Sequence, residues 1–224
     1  MTVYRIVRWL VTLAFSLMAR VEITGLENVP RQGGCILAAN HLGRLDVPLI
    51  LYTLPRHDLI LIVAEKYRQV ALYRYLARKM DVLFVDRYEA DFATVRTVLR
   101  RLQTGQIFVV APEGTRSPTE SLLPGRPGAV YLAARSGVPI LPVAVTGTQD
   151  RLVKQKLRHL RRLHIQVRIG EAYRIPPLPR TDRETWLNDM TTDMMCRIAA
   201  LLPPAYRGKY ADCPAAPEST LQKR

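Results

Sequence analysis

The apolar residues of this chain gather into short continuous runs, separated by longer segments with helical spacing. Runs of this length, bounded by glycine, proline or polar residues, are typical of strands buried on both faces of a sheet. The strands predicted in this way are Val21–Thr24, Cys35–Ala39, Leu59–Ala64, Val82–Val85, Ile107–Ala111 and Ile140–Val145. A later run, Ile165–Ile169, alternates apolar with polar residues and therefore predicts an edge strand.

Helical segments lie between these strands. Ala90–Thr104 has the clearest pattern, because its apolar residues share one stripe and Gly105 ends it. Asp46 is predicted to cap a helix that begins at Val47-Pro48, since proline is tolerated in a first turn. The other predicted helices are Lys66–Lys79, Gly128–Ser136 and Thr181–Leu202. This alternation predicts an α/β fold: a single domain with a mostly parallel sheet and helices on both faces.

The N-terminal segment, residues 1–20, is predicted to be an interfacial membrane helix. Its uncharged part, Trp9–Ala19, would span about 16 Å as a helix, against about 30 Å for a hydrocarbon core. A basic, Trp-bearing helix of this length suits a position in or on one leaflet. Two alternatives remain: a helix packed on the domain's own core, and a signal peptide, although no clear small-x-small cleavage site follows. Residues 21–202 then form the α/β domain, and residues 203–224 a loosely ordered tail.

Charge and cysteine content narrow the choice of partner and compartment. The net charge of +14 and a pI near 10.2 favour a polyanion: nucleic acid, an anionic membrane or a phosphorylated substrate. Nucleic acid is disfavoured, because aromatic residues make up only 7% and no recognised motif is present. The basic run Arg151–Arg162 fits either anionic headgroups or a solvated helix face. Cys35, Cys196 and Cys213 lie far apart without a C-x-x-C pair, which predicts no disulfide, no zinc site and a reducing compartment.

Candidate chemistry lies just after the predicted strands. His41 and Asp46 provide a general base and a carboxylate that could orient it, if a turn at Gly43 brings them together. The turn Glu113-Gly114-Thr115-Arg116 offers backbone N–H groups and a guanidinium suited to phosphate. Glu113 itself is expected to position Arg116, a basic neighbour or a substrate hydroxyl.

Arg87 and Lys66 are further candidate cations for a bound phosphate. Each of these features also has an ordinary interpretation, as a loop histidine, a helix cap, a surface turn or a solvated cation. In their favour, His41, Arg87 and the turn all follow strand C-termini, where open α/β sheets bind ligands. Neither the cysteines nor the histidines have a ligand spacing that predicts a metal site.

Taken in order, these segments resemble the glycerolipid acyltransferase family. The blocks that carry the resemblance are Asn40–Asp46, Val82–Arg87, Ala111–Arg116 and Val138–Val143. Pro124-Gly125 and Gly128-Ala129 also lie where the family usually has a link containing lysine and glycine. Ala111 stands where the family usually has phenylalanine, which bears on the choice of acceptor and acyl chain.

The resemblance implies a direct acyl transfer. His41, held by Asp46, would deprotonate the sn-2 hydroxyl of 1-acylglycerol 3-phosphate, which would attack the thioester of acyl-CoA or acyl-carrier protein. Arg87 and the Glu113–Arg116 turn would bind the phosphate, and no metal or prosthetic group would be needed. The enzyme would work on the cytoplasmic face of a membrane, with no nucleic-acid partner. The alternatives are another acceptor (glycerol 3-phosphate, a lysophospholipid or a lyso-aminolipid) and a basic protein that binds lipid or nucleic acid without catalysis.

Overall fold

A mostly parallel sheet forms the centre of the protein in a computed structural model, which describes residues 2–85 and 92–213. The strands in this part of the chain are β1 Ala19–Thr24, β2 Cys35–Ala39, β3 Leu59–Ile60, β4 Ile62–Ala64, β5 Leu83–Val85, β6 Ile107–Val110, β7 Ile140–Thr146 and β8 Leu163–Ile169. The main sheet has the order β1-β8-β7-β2-β6-β3, and β4 pairs with β5 separately. Neighbouring strands are parallel except for β7 and β8.

Helices cover both faces of the main sheet. They are α1 Thr2–Met18, α2 Asp46–Thr53, α3 Ala71–Met80, α4 Phe92–Gln103, α5 Gly128–Ser136, α6 Asp150–Arg158 and α7 Arg183–Leu201. One core cluster joins the sheet to α1, α2, α3 and α6, and the other joins it to α4, α5 and α7. The predicted single α/β domain is confirmed.

The sequence of β2 explains why this strand lies inside the sheet, with other strands on both sides. All five of its residues are buried. Leu37 packs into the core below α1 and α2, while Ile36 and Ala38 pack into the core below α5 and α7. Because side chains alternate along a strand, a run that is apolar at every position suits a sheet covered on both faces.

The N-terminal helix α1 divides its apolar residues between the core and the surface. Phe15 is buried against the sheet, and Tyr4, Val7 and Val11 pack beside it. Other large apolar residues of α1, such as Trp9, are exposed. The helix thus packs on the domain, as one predicted alternative has it, and still presents an apolar face; its position in a membrane interface stays a prediction. Nowhere in residues 2–85 and 92–213 is a helix both long enough and apolar enough to cross a membrane.

Two strand predictions were wrong in detail. The run 59–64 is not one strand, because the chain leaves the main sheet at Leu61 and β4 pairs with β5 instead of β6. Nor is the alternating run at 165–169 an edge strand, since β8 lies between β1 and β7. Its alternation reflects the polar residues on one face, with Gln166 hydrogen-bonded to Glu22. The predicted helix 66–79 is a 3-10 turn, Glu65–Gln69, followed by α3.

Two further predictions, both about the C-terminal part of the chain, were wrong. The segment that follows Pro203 was predicted to be loose, but it is ordered up to residue 213 and buries Tyr210. The tail beyond it, residues 214–224, lies outside the described part. Cys196 of α7 forms a disulfide with Cys213, so the prediction of a chain without disulfides was wrong. The pairing arises because the chain folds back along α7, which sequence spacing does not reveal.

Candidate active site

The carboxyl ends of three strands meet beside the candidate base. β2 is parallel to β6 on one side and to β7 on the other. The loops that follow these strands therefore start at the same edge of the sheet, and they carry His41, Glu113 and Thr148. Asn40 joins the loop after β2 to the end of β7, because its side-chain amide exchanges hydrogen bonds with the backbone of Val145.

His41 and Asp46 are in direct contact, as their predicted roles require. The Nδ1 atom of His41 lies 2.7 Å from Oδ2 of Asp46. A carboxylate can only accept a hydrogen bond, so Nδ1 carries the proton and Nε2 is the basic nitrogen of the neutral ring. The same Oδ2 accepts the backbone N–H groups of Leu42 and Gly43 at 2.8 and 3.0 Å. These bonds fix the carboxylate and, through it, the imidazole plane.

Asp46 is not the helix cap that the sequence predicted. The helix α2 begins at Asp46 itself, after an N-cap at Leu45 that makes no side-chain hydrogen bond. Its carboxylate turns back toward the preceding loop instead of toward the helix. The residue therefore orients the histidine and closes the turn of residues 41–45 at the same time.

Gly43 is needed for close approach between two loops. A Cβ atom at this position would lie 1.9 Å from the backbone oxygen of Thr148. Gly43 is not among the residues with positive φ, so the turn does not need the left-handed conformation that glycine permits. The loop after β7 thus presses directly on the turn that joins His41 to Asp46.

Gly43→Ala is expected to destabilise the fold by about 2 kcal/mol or more, because a backbone oxygen cannot move aside as a flexible side chain can. Thermal unfolding of the purified variant measures this. Gly128→Ala is the matched control, since a Cβ there meets nothing within 4 Å. In the first turn of α5 it should be neutral or stabilise by up to about 1 kcal/mol. Equal melting temperatures for the two variants would contradict the contact.

Glu113 holds the backbone at the base. Its side chain is buried, and its oxygens accept the N–H groups of His41 and Leu123 at 2.8 and 2.9 Å. Burial raises the pKa of this carboxyl, and the two N–H donors oppose the rise. Glu113 thus has a backbone role, and among the described contacts Arg116 pairs with Asp150 instead of with Glu113. A contact of Glu113 with a basic neighbour or a substrate hydroxyl stays a prediction. On the other side, the carbonyl of His41 accepts the N–H of Ser117 at 2.9 Å.

Arg116 lies close to the site but is paired with a carboxylate. Its Nη1 donates to Oδ2 of Asp150 at 2.6 Å, and the backbone N–H of Arg44 donates to Oδ1 of the same residue. Asp150 therefore links the turn after β6 to the turn that carries His41. Thr115 is exposed, and of the predicted turn Gly114 lines the cavity beside the base. The Lys66 side chain and Arg87 lie outside the described part of the structure.

A cavity of ≈ 360 Å³ opens beside His41. Its wall is almost entirely apolar, with side chains from α2, α4 and α5 and from β4 and β6, such as Ile50, Val98 and Leu132. His41, Asp46 and Arg126 contribute polar side chains to the wall beside the turn after β6, and this part of the wall is called the polar end. The cavity thus combines a mainly apolar wall with the candidate base, which suits a fatty acyl chain.

Sequence reasoning missed Arg126. Its backbone N–H donates to the carbonyl of Pro112 at 2.8 Å. Its guanidinium lies over the turn after β6, where a Cβ on Gly114 would come within 2.8 Å of Nε. The only signal in the sequence was its position in the link between Pro124-Gly125 and Gly128-Ala129. Arg126 lies on a loop, and the predicted strands do not determine where that loop packs.

Two other residue types bear on the chemistry. Cys35 is fully buried in β2, and burial raises the pKa of its thiol to about 12, so it is not a nucleophile. Within residues 2–85 and 92–213, no group of three or more His, Cys, Asp or Glu residues could hold a metal ion. The absence of a cofactor stays a prediction.

Comparison with known proteins agrees with the geometry. The acyltransferase family model matches residues 20–146. The 1-acyl-sn-glycerol-3-phosphate acyltransferase alpha of Ovis aries is 32% identical over 165 residues, which cover 71% of this chain and 54% of that protein. The 1-acyl-sn-glycerol-3-phosphate acyltransferase of Borreliella burgdorferi is 24% identical over 137 residues, covering 60% of this chain and 54% of that protein. The chain thus spans about half the length of the curated relatives it matches.

A solved structure has a similar fold. The crystal structure of the 1-acyl-sn-glycerophosphate (LPA) acyltransferase, PlsC, from Thermotoga maritima matches with a TM-score of 0.63 and 25% sequence identity. The match covers 84% of this chain and 76% of that chain. The matched family segment includes β2, β6, β7 and the loops that carry His41, Asp46 and Glu113.

Proposed function

The chain belongs to the acyltransferase family, and we propose that it transfers a fatty acyl group from a thioester to the sn-2 hydroxyl of 1-acylglycerol 3-phosphate, giving phosphatidate. The contact between His41 and Asp46 at the polar end of an apolar cavity is the observation that carries the proposal. The names of the relatives support this acceptor, since they include 1-acyl-sn-glycerol-3-phosphate acyltransferases from an animal and a bacterium.

The reaction is a direct transfer. Nε2 of His41 accepts the proton of the acceptor hydroxyl while the hydroxyl oxygen attacks the thioester carbonyl. The tetrahedral intermediate then collapses, the C–S bond breaks, and the departing thiolate takes the proton from Nε2. Asp46 keeps the ring in place and stabilises the positive charge that it carries between the two proton transfers. No covalent acyl-enzyme is needed, and the only buried thiol near the sheet centre, Cys35, is un-ionised at neutral pH.

The cavity is proposed to hold the acyl chain of the donor. Its apolar wall removes the chain from water, and its polar end brings the thioester next to His41. Holding the two reactants together supplies a large part of the rate enhancement, because a bimolecular step becomes intramolecular. Both acyl-CoA and acyl-carrier protein fit this scheme as donors, and neither requires a metal or a prosthetic group.

The acceptor phosphate is proposed to bind cations at the polar end of the cavity. Arg126 lines the cavity there, and Arg116 lies in the neighbouring turn, paired with Asp150. Arg87 and Lys66 remain predicted partners. A guanidinium binds phosphate through two parallel N–H groups, which fixes both the position and the direction of the glycerol backbone.

Arg126→Gln is expected to raise the KM for lysophosphatidate by about 10–100-fold, because a hydrogen bond to a charged group contributes about 1.5–3 kcal/mol. Steady-state kinetics on purified protein measure this. An acceptor that lacks phosphate, monoacylglycerol, should show no such increase. Arg135→Gln, which removes an exposed cation of α5, is the matched control and should leave both KM values unchanged. An equal loss with both acceptors would contradict phosphate binding by Arg126.

The enzyme is proposed to work at the cytoplasmic face of a membrane, where its lipid substrates reside. The exposed apolar side chains of α1, including Trp9 and Leu13, suit insertion among headgroups and upper acyl chains. The basic character of the chain, with a net charge of +14, favours an anionic leaflet.

An acceptor panel tests the proposed reaction. The purified protein, in detergent or vesicles, receives one labelled acyl thioester together with lysophosphatidate, glycerol 3-phosphate, a lysophospholipid or a lyso-aminolipid. We expect labelled phosphatidate as the main product. A different labelled lipid would reassign the acceptor within the family, and no labelled product with any acceptor would reject the activity.

A further inference from the structure

The outward face of α3 combines apolar and basic side chains. Leu72 and Tyr75 are 62% and 53% exposed, and the cations beside them are exposed as well. These cations are Arg78 and Lys79, while the exposed Arg74 lies on the flank of the helix, about 60° from Ala77. With 100° between successive residues, Leu72, Tyr75 and Lys79 lie opposite the buried Ala77. Within residues 2–85 and 92–213 none of the three cations forms a salt bridge, so their charge is directed to the solvent.

The helix α3 contacts α1, which also has exposed apolar residues. Among the described residues, nine of the fourteen exposed large apolar side chains belong to α1 or to α3 and its N-cap residue. They are Ile6, Trp9, Leu10, Leu13, Leu17, Val70, Leu72, Tyr73 and Tyr75. Neither helix contains an acidic residue, whereas α7 on the other side of the sheet carries Glu184, Asp189 and Asp193.

We propose that the outward faces of α1 and α3 together form a docking surface for an anionic lipid bilayer, in which α3 supplies the contacts to charged headgroups. Tyrosine beside arginine and lysine is the combination found at the headgroup level of membranes. The core of a protein–protein interface is depleted of charged residues, so Arg78 and Lys79 beside Leu72 and Tyr75 fit a lipid surface better.

The two helices have different tasks in this arrangement. The apolar face of α1 binds to any bilayer, since it inserts without regard to headgroup charge. The cations of α3 add a dependence on anionic lipid, and each cation near such a surface strengthens binding by about fivefold. The inference extends the membrane association proposed above to a second helix. Its test measures binding without turnover, so its failure is distinguishable from failure of the proposed acyl transfer.

Vesicle flotation with the full purified chain tests this surface. One set of vesicles contains phosphatidylcholine alone, and the other contains phosphatidylcholine mixed with phosphatidylglycerol. The double variant Arg78→Gln, Lys79→Gln should bind the mixed vesicles at least about tenfold more weakly than the wild type. Its binding to phosphatidylcholine alone should be unchanged. Each single variant should lose about fivefold, so the result does not depend on the double variant folding.

A matched variant separates the α3 surface from net charge. Arg96→Gln, Arg100→Gln removes two exposed cations from α4, on the other face of the sheet, and should bind both vesicles as the wild type does. An equal loss in this variant would overturn the proposal in favour of a general charge effect. Equal binding of the wild type to both vesicles would overturn the proposal as well. That result would favour an acidic protein as the partner of these cations.

Discussion

His41→Ala is expected to lower kcat/KM for acyl transfer by about 10²–10⁴-fold, the factor that a positioned general base contributes. Without the imidazole, the acceptor hydroxyl has no group to take its proton as it attacks the thioester. The fold should persist, because the contacts that hold the loop use the backbone of residue 41: its N–H donates to Glu113 and its carbonyl accepts from Ser117. Thiol release and thermal unfolding of the purified variant measure the two effects separately.

His164→Ala is the control for this substitution. The side chain of His164 is 57% exposed and pairs with Glu22 on β1, away from the cavity. Turnover should equal that of the wild type. Near-normal turnover by the His41 variant would show that His41 is not the general base.

Asp46→Asn is expected to lower kcat by about 10²–10⁴-fold, by analogy with the loss of the aspartate in a Ser-His-Asp triad. The amide oxygen of asparagine still accepts the N–H groups of Leu42 and Gly43, so the turn is kept. The substitution removes the negative charge that stabilises the protonated ring. It also leaves the tautomer unfixed, because an amide can donate as well as accept and no longer forces the proton onto Nδ1. The KM for the acceptor should change little, since Asp46 contacts the base and its own loop.

The control for Asp46 is Asp193→Asn on α7. That carboxylate is exposed and pairs with Arg197 one helical turn away, so its loss should cost less than about 0.5 kcal/mol of stability and no activity. A kcat for Asp46→Asn within a few-fold of the wild type would contradict its role in orienting the histidine.

Local sequence patterns were sufficient for the elements that frame the site. β2 and α5 occur at the predicted residues, because each is bounded by strong local signals, such as Gly34 before the strand and Gly137 after the helix. The contact between His41 and Asp46 was predicted from the resemblance to the acyltransferase blocks, because the spacing of the two residues is common and by itself favours an unrelated loop histidine and helix cap. The strand break at Leu61 was not, because it depends on which neighbour each half pairs with.

Long-range contacts explain the features of the structure that the sequence patterns did not predict. Arg116 was predicted to be available for phosphate, but Asp150, distant in sequence, binds it through the loop after β7. Arg126 reaches the cavity because its backbone is held by Pro112. The disulfide of Cys196 likewise depends on the path of the chain after α7. None of these partners has a periodic or spacing signal, since each is set by how separate loops pack together.

The most direct test of the central claim mixes wild-type enzyme, at a concentration comparable to substrate, with one acyl thioester in the presence or absence of lysophosphatidate. Direct transfer with His41 as base predicts that thiol appears only when lysophosphatidate is present, in an amount equal to the phosphatidate formed. Release of one equivalent of thiol without acceptor, with the acyl group left on the protein, would contradict it.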